Sequence, residues 1–497
     1  MSEIALYFVM PLATALLLVL FGHWIERWAG AIVSAVFLLL TAVTVHLWMG
    51  VDFPVSIAVG GWTPIDGVPL GIHWVMDGLA LLMLGVINLI GVVVAVYSIG
   101  SMVKFTKLRK YYALLLLLGL GMNGVILAGD FFTLYVFLEI SAISSYILVA
   151  FDRGAEAMEA SLKYQVLGGT ASMLILMGIA LIYRLTGTLN MADAARVLLG
   201  MKAAPTVQFV GVLFLAGFGV KAAIMPFHAW LPDAHPAAPA PVSALLSGVV
   251  VKVLGIYPLC RIFFHVIGFQ GVWPEVWIVL GGVSLMAGNI LALAQWDIKR
   301  LLAYCSVSQI GYIFLALGLG TPLGLVAGLF HLVTHAVGKA LLFFNAGVIV
   351  HVAGNRDMRA LGGMATQLPF TRRTYLISAF SVAGLPPFAG FWSKLFIIVA
   401  CVEAGRPFWG IWAAIGSMLT LAAFLKIQKH VFAGEVQGKR LYVHEAVFSR
   451  KVSMVFLAVL CVLLGFLAIP ALYQQILSPA SEVLIQGVSA SLEILRQ

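Results

Sequence analysis

Five charged residues interrupt stretches of sequence that are otherwise apolar: Glu139 in FFTLYVFLEISAISSYIL, and Lys221, Lys252, Lys339 and Lys394. Carboxylate, amine and imidazole can each take up and release a proton, so such groups set in a row form the parts of a proton relay. The stretch HLVTHAVGKALLFF adds His331 and His335 to Lys339 at intervals of four. On a helix that spacing puts the three on one face, over a rise of about 12 Å. Two histidines four apart also suit a zinc helix, but the H-E-x-x-H glutamate is missing, because Leu332 and Val333 fill those places. No carboxylate or cysteine supplies a third ligand, so the reading is a proton relay with no metal. His228 is a candidate auxiliary group beside an interrupted helix; the remaining histidines, His235 and His265 among them, are expected mostly near interfaces.

The elements that must hold these side chains are membrane helices. Hydrophobic residues make up 62% and charged residues 10% of the 497, and the mean hydropathy of +1.07 lies outside the soluble range. A bilayer core needs roughly 20 apolar residues per helix, and such runs recur between short loops; they are continuous, which argues against spanning strands. About fourteen spans are expected: 3–22, 28–49, 76–98, 111–129, 131–151, 162–184, 207–226, 241–265, 274–295, 301–318, 322–350, 369–402, 408–430 and 452–475. The segment 51–75 alternates and carries turn residues, so it reads as a small external hairpin. The first run lacks a preceding basic residue and reads as a span, not a signal peptide. Cys260, Cys305, Cys401 and Cys461 are scattered, without a C-x-x-C pair, and are expected only to pack.

Placing the N-terminus outside puts nineteen of the 29 basic residues in loops on the cytoplasmic side and six, Arg261 among them, on the other. This obeys the positive-inside rule and predicts both termini outside a prokaryotic cell (inner) membrane. It also accounts for a pI near 9.4 without nucleic acid. The four basic residues left over are the four lysines above. A charge at bilayer depth costs at least about 2.5–3.5 kcal/mol, so each needs a partner or a purpose.

Two spans are broken by proline. Pro226, Pro232, Pro236, Pro239 and Pro241 follow Lys221, and Gly384, Pro386, Pro387 and Gly390 precede Lys394. Non-helical backbone at membrane depth persists only inside protein or along a wet cavity. Paired broken segments in two halves point to an inverted repeat. The expected fold is therefore all-α integral membrane, with about 14 transmembrane helices, two inverted five-helix repeats and two broken helices. Its parts are 1–110 (first spans and hairpin), 111–265 and 274–430 (the two repeat units) and 431–497 (a loop, a last span and an amphipathic tail). Asn190–Lys202 reads as a capped amphipathic helix along the outer interface.

The stretches GVKAAIMPFHAWLPDAHPAAPAPVSALLSGVVVKVLGIY, DIKRLLAYCSVSQIGYI, HLVTHAVGKALLFFNAG and LPPFAGFWSKLF, lying in that order within about 70–430, resemble one family. It is the antiporter-like family shared by Mrp-type sodium/proton antiporters (their D-type subunit), energy-converting membrane-bound hydrogenases and respiratory complex I. The resemblance implies fourteen helices with two inverted five-helix units. It also implies roles: Glu139 and Lys221 as a coupling ion pair, Lys252 as a central lysine, His331, His335 and Lys339 as the connecting relay, and Lys394 as the terminal lysine. Some complex I members carry glutamate at that last place, so lysine points toward the antiporter and hydrogenase branches.

The function expected is that of a proton, or sodium/proton, translocating subunit of a multisubunit antiporter or redox-driven pump. The chain shows no P-loop, dinucleotide fingerprint or cofactor ligands, so no cofactor is expected and redox catalysis would reside in partner subunits. The expected partners are other membrane subunits, protons or sodium, and the bilayer, with no nucleic acid. The alternatives are a complex I type membrane-arm subunit of a quinone oxidoreductase and a structural scaffold.

Overall fold

The computed structural model describes residues 2–50, 53–61, 71–103, 105, 107–201, 203–434, 445 and 447–495. Lys104, Lys202, Lys439, Arg440 and Arg496 from the loop charges, and the middle of the hairpin at 62–70, lie outside the described residues. Among those described, twelve helical segments are long and apolar enough to cross a bilayer.

The first of these, Glu3–Gly50, contains two helices, α1 (Ser2–Ile25) and α2 (Ala29–Gly50), joined by one tight turn at Glu26–Trp28. The expected hairpin follows as β1 (Val55–Ala58) and β2 (His73–Met76), paired antiparallel with Val55 opposite Met76. The chain continues through α3 (Gly78–Ser101), α4 (Leu108–Leu127), α5 (Phe131–Val149), α6 (Ala155–Thr186), the short α7 (Met191–Leu198) and α8 (Pro205–Ala222). After the first break come α9 (Leu231–Ala237) and α10 (Ala240–Val266). Then follow α11 (Trp273–Ala294), α12 (Ile298–Gly318), α13 (Pro322–Ala353), the two pieces α14 (Pro369–Ala383) and α15 (Ala389–Glu403), α16 (Pro407–Phe432) and α17 (Phe448–Ala468). Three short helices end the chain: α18 (Pro470–Ile476), α19 (Ser478–Gln486) and α20 (Val488–Ile494).

Short polar side chains fix where the helices start. Asp77, Asp130 and Asp297 each lie just before a helix and accept from its first free N–H groups, Asp130 from Thr133 at 2.7 Å. Asn190 caps α7 in the same way, as expected. That helix does not extend to Lys202, however, and it packs against α20 and the end of α10.

Both expected breaks are present. Helix α8 ends at Ala222, where Ala223 adopts φ +55°, and α14 ends at Ala383, where Gly384 adopts φ +90°. The prolines after the first break do not keep the chain extended throughout. Pro232 sits at the start of α9, where its missing N–H costs nothing. Helix α6 starts at Ala155, seven residues earlier than the span 162–184 read from hydropathy. Helix α10 departs from the α-helix over Leu246–Val250, Lys252–Ile256 and Arg261–Val266, where the winding is of the i→i+5 type. Apolar periodicity carries no signature of this winding.

Candidate functional site: buried lysines and histidines

Glu139 is the ninth residue of α5, midway along it. Its carboxylate accepts a hydrogen bond from the Ser172 hydroxyl of α6 and lies 4.0 Å from the Lys221 ammonium of α8. The lysine side chain is 2% exposed and the glutamate 29%. Lys221 also donates to the Tyr146 hydroxyl at 3.3 Å. The expected pair is thus in place, with one member inside the bundle and the other at its lateral surface. Phe132, Val136, Ile143 and Ile147 are exposed on the same face of α5.

Lys252 is fully buried and donates to the carbonyls of Ser247 (2.6 Å) and Gly248 (2.8 Å) on its own helix. From there the hydrogen bonds lead sideways. The Ser247 hydroxyl meets that of Ser306 at 2.7 Å, Ser306 donates to the Leu302 carbonyl at 3.0 Å, and Lys339 donates to the same carbonyl at 2.8 Å. Polar groups of α10, α12 and α13 therefore lie between one lysine and the next, with Lys252 and Lys339 each held by a backbone carbonyl.

His331, His335 and Lys339 share one face of α13, as their spacing requires, and the two rings stack 6.1 Å apart at 8°. His331 bridges Ser393 (3.0 Å) and Gln309 (3.1 Å). Ser393 precedes Lys394, which donates to the Ala383 carbonyl at 3.3 Å and lies 4.4 Å from the Tyr312 ring centre. His335 is buried with neither ring nitrogen hydrogen-bonded. Lys252, Lys339, His331 and Lys394 all lie within electrostatic reach of it. The structure thus gathers Lys252, the α13 stripe and Lys394 around one imidazole, while Lys221 and Glu139 form a separate pair. The link between the two groups is the approach of α8 to α10, where Gly255 meets the backbone of Ala222 so closely that a Cβ would not fit.

His228 is half-buried, its Nδ1 unpartnered and its ring 6.1 Å from that of Tyr304. Two histidines expected near interfaces are instead buried. His235 on α9 is completely enclosed, stacks on Phe343 at 4.5 Å and has no hydrogen bond to either nitrogen. Lys339, Lys299 and Lys252 surround it electrostatically. The residues after it, Pro236 to Pro241, line a cavity of about 410 Å³ that also has Asp152, Glu156, Lys299 and Arg356 in its walls. Its place in the same proline-rich break as His228 was the one sign of it in the sequence. His265, near the end of α10, is the second, and it lies against Arg261. Arg261, counted among the outer loop charges, is likewise buried, within α10 and against Asp77. The four cysteines are free and buried.

A sequence profile described as NADH:quinone oxidoreductase/Mrp antiporter, transmembrane, matches residues 128–420, more than half of the chain. The chain belongs to this family. A second profile, for the N-terminus of chain 5 of NADH-ubiquinone oxidoreductase (complex I), matches residues 62–112. Among relatives of this family, the chain is 38% identical to an NADH-quinone oxidoreductase subunit of the N type from Desulforudis audaxviator, over 75% of this chain and 74% of that one. It is 31% identical to a Na(+)/H(+) antiporter subunit, of the D type, from Alkalihalophilus pseudofirmus, over 96% of both. Among solved structures it superposes on a chain of the Mrp complex from Dietzia sp. with a TM-score of 0.89 at 28% identity, and on a chain of the archaeal membrane-bound sulfane sulfur reductase with a TM-score of 0.87 at 31% identity. Both matches cover the whole of each chain. The family resemblance read from the four motifs therefore holds, as does the multi-pass helical membrane architecture.

Proposed function

We propose that the chain is a proton, or sodium/proton, translocating membrane subunit of a larger complex, and that Glu139, Lys221, Lys252, His331, His335, Lys339 and Lys394 carry the proton. The observation that carries this reading is the gathering of Lys252, Lys339, His331 and Lys394 around the buried His335 inside an otherwise apolar bundle. Its support from outside the chain is the family, whose members include an antiporter subunit and a quinone oxidoreductase subunit.

An ammonium in a low-dielectric interior is stabilised by a nearby carboxylate and destabilised without one. With Glu139 at 4.0 Å, Lys221 holds its proton; withdrawal of the carboxylate leaves the charge uncompensated, and the proton passes on toward Lys252. His335 and His331 then connect Lys252 and Lys339 with Lys394, which exchanges with one aqueous side. His235, between the 410 Å³ cavity and the lysines, joins the set as an entry group, and His228 remains an auxiliary one. Nothing in the chain's own chemistry supplies energy, so the drive is an ion gradient or a redox subunit. Partners follow from Glu139 as well: a carboxylate exposed at mid-membrane amid Phe132, Val136 and Ile143 is covered by a neighbouring subunit.

The fourteen-span, inverted-repeat reading rests on three helix pairs separated by the same 167 residues. Leu127 and Ala294 end α4 and α11, Phe131 and Ile298 start α5 and α12, and the 32-residue helices α6 and α13 run 155–186 and 322–353. Asp130 bridges to Asn190 and Asp297 to Asp357, each pair 60 residues apart. Five helices per unit invert the second copy relative to the first. Units 111–265 and 274–430 and termini on the outer side of a prokaryotic cell membrane complete the proposal.

The test is proton flux in membrane vesicles carrying the assembled complex. Glu139→Ala and Lys221→Ala are each expected to abolish flux while the subunit remains assembled. Wild-type flux in either variant contradicts these roles.

A further inference from the structure

Helix α10 carries a polar side chain at nearly every turn of its length: Ser243, Ser247, Lys252, Tyr257, Arg261 and His265. In an i→i+5 winding, residues four to five apart fall on one face, so these six form a stripe along the helix. One end meets the proline-lined cavity of about 410 Å³, whose wall includes Ala240 and Pro241. The other meets a smaller cavity of about 40 Å³ lined by His73, Asn190, Arg261, His265 and Ser491. That is room enough for water. Such a stripe would let protons escape straight along α10 from Lys252 unless something closes its far end.

The hydrogen bonds there all point the wrong way for a relay. Tyr257 spends its one hydroxyl proton on the Ile126 carbonyl at 2.6 Å and accepts from Arg261 Nε at 2.8 Å. Arg261 clamps Asp77 with two bonds, at 2.6 and 2.7 Å, and Asp77 also accepts from the Ala80 N–H. The same guanidinium lies 3.3 Å from His265 Nδ1, and His265 Nε2 lies 3.0 Å from the Val483 carbonyl. A carbonyl only accepts and a guanidinium only donates, so His265 is held with its proton on Nε2 and Nδ1 already occupied. Arg261 itself cannot shed a proton, and its two bonds to Asp77 hold that carboxylate out of any relay. Helices α19 and α20 cover the cluster, with Ser491 donating to the His265 carbonyl at 3.1 Å.

We propose that Asp77, Arg261 and His265 form a fixed-charge seal that closes this end of α10 to protons and sends a proton from Lys252 sideways to Lys339. The inference rests on the translocation reading above. Arg261 is a positioning residue in this role, because it carries no proton of the relay.

Passive proton leak into liposomes containing the purified complex, driven by an imposed potassium diffusion potential, tests it. The double variant Asp77→Asn with Arg261→Gln keeps a neutral hydrogen-bonding pair and leaves no buried charge uncompensated. It is expected to leak at least about tenfold faster than the wild type. Adding Lys252→Met is expected to return the leak to the wild-type rate. An assembled double variant that leaks no faster, or a leak indifferent to Lys252→Met, overturns the seal. Should the double variant fail to assemble, Arg261→Lys, whose charge can be shed, is judged by the same two results. Lys252→Met alone separates the two ideas: undiminished coupled flux in that variant defeats the translocation reading, whereas Lys252-dependent flux with a leak-free double variant defeats only the seal.

Discussion

Lysine at bilayer depth is tolerated here because every ammonium has an oxygen or a ring to face. Lys252 and Lys339 are bound by helix carbonyls, Lys221 by Tyr146 and Glu139, and Lys394 by a carbonyl and the Tyr312 ring. The imidazoles differ among themselves. His331 has two hydrogen-bond partners, whereas the ring nitrogens of His335 and His235 meet no partner from the described residues. His235→Phe keeps the stack on Phe343 and removes the nitrogens, so flux is expected to fall by about tenfold or more. His235→Ala is expected to lose flux and regain part of it when imidazole is added on the side of the 410 Å³ cavity. Normal flux in His235→Phe would show that the ring only packs. The sequence made Glu139 and the four lysines legible, because a charge in an apolar run stands out. His235, His265 and Arg261 were not legible, because neither proline-rich context nor hydropathy reports on burial near a helix end.

Helices were readable from apolar run length and their breaks from proline, and α8, α14 and α15 stop and start close to the expected places. The i→i+5 winding of α10 was not, because hydrogen-bond register leaves no mark on composition. Yet that winding aligns Ser247 and Lys252 with Tyr257 and Arg261. Helix proximity is set by small residues in the same way. Gly255 lets α10 rest on the backbone of Ala222, one residue from Lys221 and three from Lys252. Gly255→Val forces the two helices apart, and overpacking of this kind typically costs about 1–3 kcal/mol. A lower thermal midpoint together with loss of flux is expected for the purified complex, and a variant as active and as stable as the wild type would show that this contact does not couple the two lysines.

Across the whole molecule, the proposed topology puts both termini on one side of the membrane, and the sidedness of its loops is open to a direct test. The four native cysteines are buried, so single cysteines introduced at the exposed positions Gly200 and Asn355 report without interference. In intact cells a charged maleimide is expected to label Gly200→Cys from outside and Asn355→Cys only after permeabilisation; the same sidedness for both would undo the orientation. The central claim is that protons cross this bundle through its buried amines and imidazoles, and Lys252 is the group placed to test it. Proton flux in vesicles carrying the assembled complex with Lys252→Met should drop to the level of vesicles lacking the complex. Flux equal to that of the wild type would contradict the account.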